Sequence, residues 1–202
     1  AIIFFADHLI KSGKKVGIVS RGYGRKNRDI KVLINADNNS KVEDYGDEPI
    51  FLSSRLRNIP IAVGANKFNA ALQLIKKNKV DVLLFDDGFQ TRKIYRDLDI
   101  VLLNTFNAIN DYKMFPLGML REPVKCIGRA DFLIFTKDNL INPESEVSHF
   151  IGKYINDNVF YSSYKLEKIF CESSKDSFNK NKVIAVSGVG DPHSFESSLL
   201  KE

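Results

Sequence analysis

Two adjacent carboxylates, Asp86 and Asp87, end the run Val80-Asp81-Val82-Leu83-Leu84-Phe85 and are followed by Gly88-Phe89-Gln90. An apolar run of this length that stops abruptly in charge predicts a strand buried on both faces. Gly88 lets the chain turn sharply behind it. In open α/β sheets, ligands bind outside the carboxyl ends of the strands. Two acids there suit Mg²⁺, a hard cation that takes oxygen ligands and keeps part of its water shell. In P-loop phosphotransferases an acid at the end of a buried strand has that task. Ser20-Arg21-Gly22-Tyr23-Gly24-Arg25-Lys26 adds two glycines among cations, a pattern that brings N–H and guanidinium groups close to phosphate or another anion. It lacks the third glycine of the dinucleotide fingerprint. Gly46-Asp47-Glu48-Pro49 places acids where a helix N-terminus favours them. Asp47 and Glu48 either cap that helix or send a carboxylate into the crevice that Asp86 faces. Met114 to Pro123 (MFPLGMLREP) holds two prolines and a glycine, so Arg121 and Glu122 are carried by a loop rather than a regular helix.

The elements that position these groups alternate along the chain. Ala1 to Lys11 has apolar residues at helical spacing, and Ser12-Gly13-Lys14-Lys15 ends it with glycine and positive charge. Val16 to Val19 predicts a short buried strand, and Ile30 to Ile34 a further strand at an edge. Pro49 predicts the first position of a helix over Ile50 to Leu56. Ile59 to Val63 predicts a strand. Asn66 caps a helix that runs to Lys77 with apolar positions Phe68, Ala71, Leu72 and Ile75. Strands follow at Leu98 to Leu103 and Phe132 to Phe135, and a helix at Glu144 to Ile155. Repeated βα units predict a mostly parallel sheet with helices on both faces. From Asn158 the alternating aromatics Phe160, Tyr161 and Tyr164 and a Ser/Lys/Asn-rich stretch predict a β-hairpin linker. Val183 to Ser187, a glycine turn and a helix from Ser194 reopen the α/β pattern. The expected organisation is an α/β domain over residues 1–157, a linker over 158–182 and the start of a second α/β domain over 183–202.

Composition narrows the class. The 202 residues are 44% hydrophobic, enough for a sizeable core rather than a disordered chain. The net charge of +5 is spread among acids, which fits an anionic ligand or membrane surface and gives no reason to expect nucleic acid. Cys126 and Cys171 lie far apart without metal-type spacing, as in a reducing compartment. No apolar run is long enough to span a bilayer, and no signal peptide is visible. No GxxxxGK(S/T) occurs either. The chain opens on Ala1 inside an apolar stretch, so we expect a fragment whose natural start, with any P-loop, lies upstream.

Five motifs occur in order: Ser20-Arg21-Gly22-Tyr23-Gly24, Gly46-Asp47-Glu48-Pro49, Asp86-Asp87-Gly88-Phe89-Gln90, Leu120-Arg121-Glu122-Pro123 and Ser187-Gly188-Val189-Gly190-Asp191-Pro192. Together they closely resemble the tetraacyldisaccharide 4′-kinase (lipid A 4′-kinase) family. The resemblance implies a P-loop-kinase-like domain, a β-ribbon linker and a smaller α/β domain. It implies ATP- and Mg²⁺-dependent phosphorylation of a lipid disaccharide at the cytoplasmic face of the bacterial inner membrane. It assigns Asp47 as the base that takes the sugar hydroxyl proton, Asp86 and Asp87 as acids near Mg²⁺, and Glu122 as an acid near the metal and phosphates. Arg21, Gln90 and Arg121 would line the substrate and phosphate crevice. Thr91 stands where the family usually has His. Two alternatives are another P-loop NTPase with a water nucleophile, and a nucleotide-binding module without catalysis.

Overall fold

A computed structural model describes residues 1–105, 109–137, 146–154, 158–163, 186–187 and 192–200. The chain divides into two units, Ala1–Tyr95 and Arg96–Glu202. In the first, α1 (Ile2–Lys11) ends at Gly13, which adopts a left-handed φ of 78°. The amide of Lys14 then donates to the Leu9 carbonyl and satisfies the helix end. β1 (Val16–Ser20), β2 (Lys31–Leu33), α2 (Val42–Tyr45), α3 (Asp47–Arg55), β3 (Ile61–Val63), α4 (Lys67–Lys77) and β4 (Val82–Phe85) follow.

The four strands form one sheet in the order β2-β3-β1-β4. β1 is parallel to both its neighbours, with Ile18 opposite Ile61 and Leu84, and Val19 opposite Ala62 and Phe85. β2 runs antiparallel along β3 as the outer strand, as its alternating pattern predicts. All five residues of β1 are buried because helices cover both faces. Val16 and Ile18 pack with Ala6 of α1 and with Leu52 of α3. Val19 and Ala62 pack with Ala70, Ala71 and Leu74 of α4. Gly17 belongs to the α4 side, where a Cβ would come 2.8 Å from Leu74 Cδ2, so its bare backbone lets the helix close on the sheet.

Three expectations need correction in this unit. β4 is half-buried at every position rather than buried on both faces. Among the described residues it pairs along one side only, with β1. α3 begins at Asp47, not Pro49, because Gly46 turns the chain at φ 88° and both acids are already helical. α4 is capped by Asn66, whose side-chain oxygen accepts from the Asn69 amide at 3.1 Å, but it is rotated from the expected face. Lys67, Ala70, Ala71 and Leu74 are buried, while Phe68, Leu72 and Ile75 remain 49%, 41% and 49% exposed. Two alanines permit a closer approach to the sheet than the bulkier stripe would, and one position of shift is about 100° of rotation.

The second unit holds a parallel sheet, β5 (Ile100–Asn104), β6 (Phe132–Thr136) and β7 (Val159–Ser162), in that order. Its core joins Leu103, Leu133 and Phe135 to Val147 and Ile151 of α5 (Glu146–Gly152). Short 3₁₀ turns occupy Ile109–Tyr112 and Val124–Arg129, and α6 spans Pro192–Leu200. Where a hairpin was expected, Val159–Ser162 is a third parallel strand. Alternating aromatics announce a strand without naming its partner. Residues 164–185, with most of the expected linker and next strand, and the glycines of 188–190 lie outside the described residues.

The rotated face of α4 is directly testable. Leu74→Ala should destabilise by about 2–5 kcal/mol, the usual cost of truncating a buried leucine. Ile75→Ala should cost less than about 1 kcal/mol. Urea midpoints of the two variants decide which stripe is buried.

Candidate active site

Because β1, β3 and β4 are parallel, their carboxyl ends open on one edge of the first sheet, and the chain ties them together there. The Gly64 amide after β3 donates to the Ser20 carbonyl at 3.0 Å, and the Asp86 amide after β4 donates to the Val19 carbonyl at 2.9 Å. The Ser20 hydroxyl donates to Asp86 Oδ2 at 3.4 Å and accepts the Gly22 amide at 3.3 Å. Lys67, at the start of α4, sends its ammonium to the main-chain carbonyls of Asp86, at 2.5 Å, and Asp87. Asp87 itself adopts a left-handed φ of 48°.

The α3 acids meet this edge. Gly22 and Gly46 make that meeting sterically accessible, since a Cβ on Gly22 would lie 2.7 Å from the Tyr45 carbonyl and one on Gly46 3.1 Å from Gly22 Cα. Both have left-handed φ, 66° and 88°, which suits glycine. Asp47 Oδ1 accepts the Glu48 amide at 2.9 Å, so this carboxylate serves the helix start. The Glu48 carboxyl is pushed up to about 7. Partial burial of the group is the first cause. The charge of Asp86 and a hydrogen bond to it come next, followed by the charges of Asp47 and Asp87. Two carboxyl groups in hydrogen-bond contact need a shared proton or a cation between them. Beside them opens a concavity of about 470 Å³ lined by Tyr23, Asp47, Glu48 and Phe51.

Of the residues expected from sequence, Asp47, Asp86 and Asp87 are thus brought into one acidic cluster with Glu48. Arg21 is exposed just after β1, and Gln90 is exposed in the turn after β4, where its carbonyl accepts the Arg92 amide at 3.0 Å. Arg121 and Glu122 belong to the second unit. Glu122 is ion-paired with Arg129 at 3.0 Å, which raises the Arg129 guanidinium above its ordinary value. Lys67 and Ser20 were not marked as site residues by sequence. The available signal was the cation in the first turn of a helix, where the dipole disfavours it.

The donor set fits Mg²⁺. Among the described residues no group of three or more His, Cys, Asp or Glu is placed to cage a metal. Mg²⁺ is commonly held by one or two carboxylates together with water and substrate phosphates, and crowded acids at a strand end supply that much.

Parallel strands under helices on both faces, with acids gathered at the strand ends, define an α/β fold of the kinase type. The chain belongs to the Tetraacyldisaccharide-1-P 4′-kinase family, whose profile matches residues 1–202. It is 33% identical over 204 residues to the tetraacyldisaccharide 4′-kinase of Bdellovibrio bacteriovorus, covering 97% of this chain and 59% of that protein. With the Aquifex aeolicus tetraacyldisaccharide 4′-kinase it shares 33% identity over 98% of this chain and 61% of that protein. A crystal structure of "apo" form LpxK from Aquifex aeolicus in complex with ATP superposes with a TM-score of 0.65 at 30% identity, over 80% of this chain and 47% of that one. The chain therefore spans about three-fifths of the length of these relatives.

The raised Glu48 carboxyl gives a pH signature. The folded protein holds this proton up to about pH 7, whereas an ordinary carboxyl releases it near 4.5. The folded state binds more protons across that window, so its stability falls as pH rises from 4.5 to 7. In chelator, Glu48→Gln should match the parent at pH 4.5 and be more stable at pH 8, as read by denaturant midpoints.

Proposed function

We propose that the full-length protein transfers the γ-phosphate of ATP to the 4′-hydroxyl of a tetraacyl disaccharide 1-phosphate. We place this step of lipid A synthesis at the cytoplasmic face of the bacterial inner membrane. The observation that carries the reading is the contact between the α3 acids and the Asp86–Asp87 turn, in a chain of this kinase family. Membership supplies the substrate class, since the relatives are named for that disaccharide. Among the described residues no helix is long and apolar enough to cross a membrane, so the membrane assignment here concerns a surface.

Asp86 and Asp87 would hold Mg²⁺, with Glu122 as a further acid near metal and phosphates. When bound, the ion supplies charge neutralisation for the nucleotide phosphates. Phosphoryl transfer otherwise asks the protein for positioning more than covalent chemistry. Asp47, at the mouth of the concavity, orients the sugar hydroxyl and accepts its proton late in the transfer. Arg21, Gln90 and Arg121 steady the phosphates and sugar. Tyr23 and Phe51, 87% and 51% exposed, offer apolar surface beside the acids for part of the lipid. No residue of these 202 is assigned to a nucleotide cradle, since no GxxxxGK(S/T) occurs among them. In the same reading residues 1–157 form the kinase-like domain, 158–182 lead out of its sheet and 183–202 begin a second α/β domain.

The test is transfer of labelled γ-phosphate by full-length protein to an added tetraacyl disaccharide 1-phosphate. Label on the lipid supports the kinase, and release only as inorganic phosphate would favour a hydrolase. Asp47→Asn keeps an oxygen for the Glu48 amide but cannot take a proton. The rate should fall about 10²–10⁴-fold, the usual share of a general base, with little change in thermal stability. Asp86→Ala should weaken Mg²⁺-dependent turnover by orders of magnitude while the fold survives. Mg²⁺ titrations of both variants separate the two roles.

A further inference from the structure

Lys67 is 6% exposed, and a lysine is rarely so buried unless paired. It sits in the first turn of α4, directly after the Asn66 cap, where the helix dipole opposes a cation. Its ammonium donates to the carbonyl oxygens of Asp86 and Asp87, which are main-chain groups and not the carboxylates of the acid pair. Asp87 takes a left-handed φ of 48°, which a non-glycine residue keeps only where its surroundings hold it. A Cβ on the next residue, Gly88, would meet Phe85 Cβ at 2.8 Å, so the turn doubles back tightly on its own strand. In the sheet, β1 lies between β3 and β4, so Lys67 reaches from the loop after β3 past the end of β1.

We propose that Lys67 is a positioning residue for the phosphotransfer site: by gripping the backbone of the Asp86–Asp87 turn it leaves both carboxylates aimed outward toward a divalent cation. An ammonium bonded to the carboxylates would compete with that cation. One bonded to the carbonyls beneath them fixes the turn and leaves the acid oxygens for metal. The inference rests on the reading of Asp86 and Asp87 as metal-facing acids.

The experiment uses full-length protein and three variants, Lys67→Met, Lys67→Gln and Asp86→Asn. Two readouts are taken: the Mg²⁺ concentration giving half-maximal lipid phosphorylation, and amide hydrogen exchange of the peptide spanning residues 84–92 without metal or nucleotide. Lys67→Met should raise half-saturating Mg²⁺ by roughly tenfold or more and speed exchange in 84–92, with β1 and α1 unchanged. Lys67→Gln keeps a donor and should fall between parent and Met. Asp86→Asn should weaken the Mg²⁺ response with exchange in 84–92 near the parent's, because the carbonyl grip is intact. Unchanged Mg²⁺ dependence in Asp86→Asn would sink the metal-facing reading itself. If Asp86→Asn behaves as expected but the Lys67 variants keep parental Mg²⁺ dependence and exchange, the positioning role is wrong. Faster exchange throughout the first unit with parental Mg²⁺ dependence would reduce Lys67 to a general stabiliser and also overturn it. If Lys67→Met does not fold, Lys67→Gln decides by the same two readouts.

Discussion

The first unit depends on one constraint: three parallel strands end on a common edge, and polar groups must be satisfied there without water entering the sheet. Buried main-chain donors and acceptors are costly to leave unpaired. The chain answers with bonds across the edge. Gly64 reaches Ser20, Asp86 reaches Val19, and Lys67 reaches the carbonyls of the Asp86–Asp87 turn. Among the described residues no buried side-chain nitrogen or oxygen is left without a partner. Once the edge is closed this way, the carboxylates of the turn have only the outside left to face.

Against that fixed edge α3 brings its own acids, and the approach is bounded by two glycines rather than by attraction. Gly22 and Gly46 nearly touch through their backbones, so the loop after β1 and the turn before α3 form one wall. The result is electrostatically uncomfortable. Glu48 and Asp86 share a hydrogen bond that only a proton or a cation can sustain. A fold that stores like charge at a helix start has to recover it through a ligand, and a divalent ion with nucleotide phosphates is a natural complement.

Much of this was legible in the residues. Strand-end acids, glycine pairs and the Asn66 cap are local signals with local causes, and β1, β3 and α1 form where their patterns place them. What escaped reading depends on packing. The apolar content of Val82 to Phe85 says that the strand is sheltered but not on how many sides. Helical spacing in Lys67 to Lys77 allowed two faces, and Ala70 and Ala71 decided between them by volume. Lys67 reads as an ordinary surface lysine until β3 and β4 are known to flank β1. Val159 to Ser162 carries a strand signal whose parallel partner, β6, lies far back in the chain.

The bond from Ser20 to Asp86 spans 66 residues, as does the one from the Lys15 amide to Asp81 Oδ2 at the other end of the same strand pair. Such contacts are made only after a long loop has closed, whose entropic cost grows as the logarithm of its length. The acidic cluster therefore belongs to the late part of folding, after α1, α3 and α4 have local support. It also belongs to the first part of any opening in which β4 peels from β1. A chain in that state would keep most of its helical signal and its α4 packing while having no assembled site. Loss of competence would thus precede loss of secondary structure on heating, and far-ultraviolet dichroism alone would overstate how long the protein stays functional.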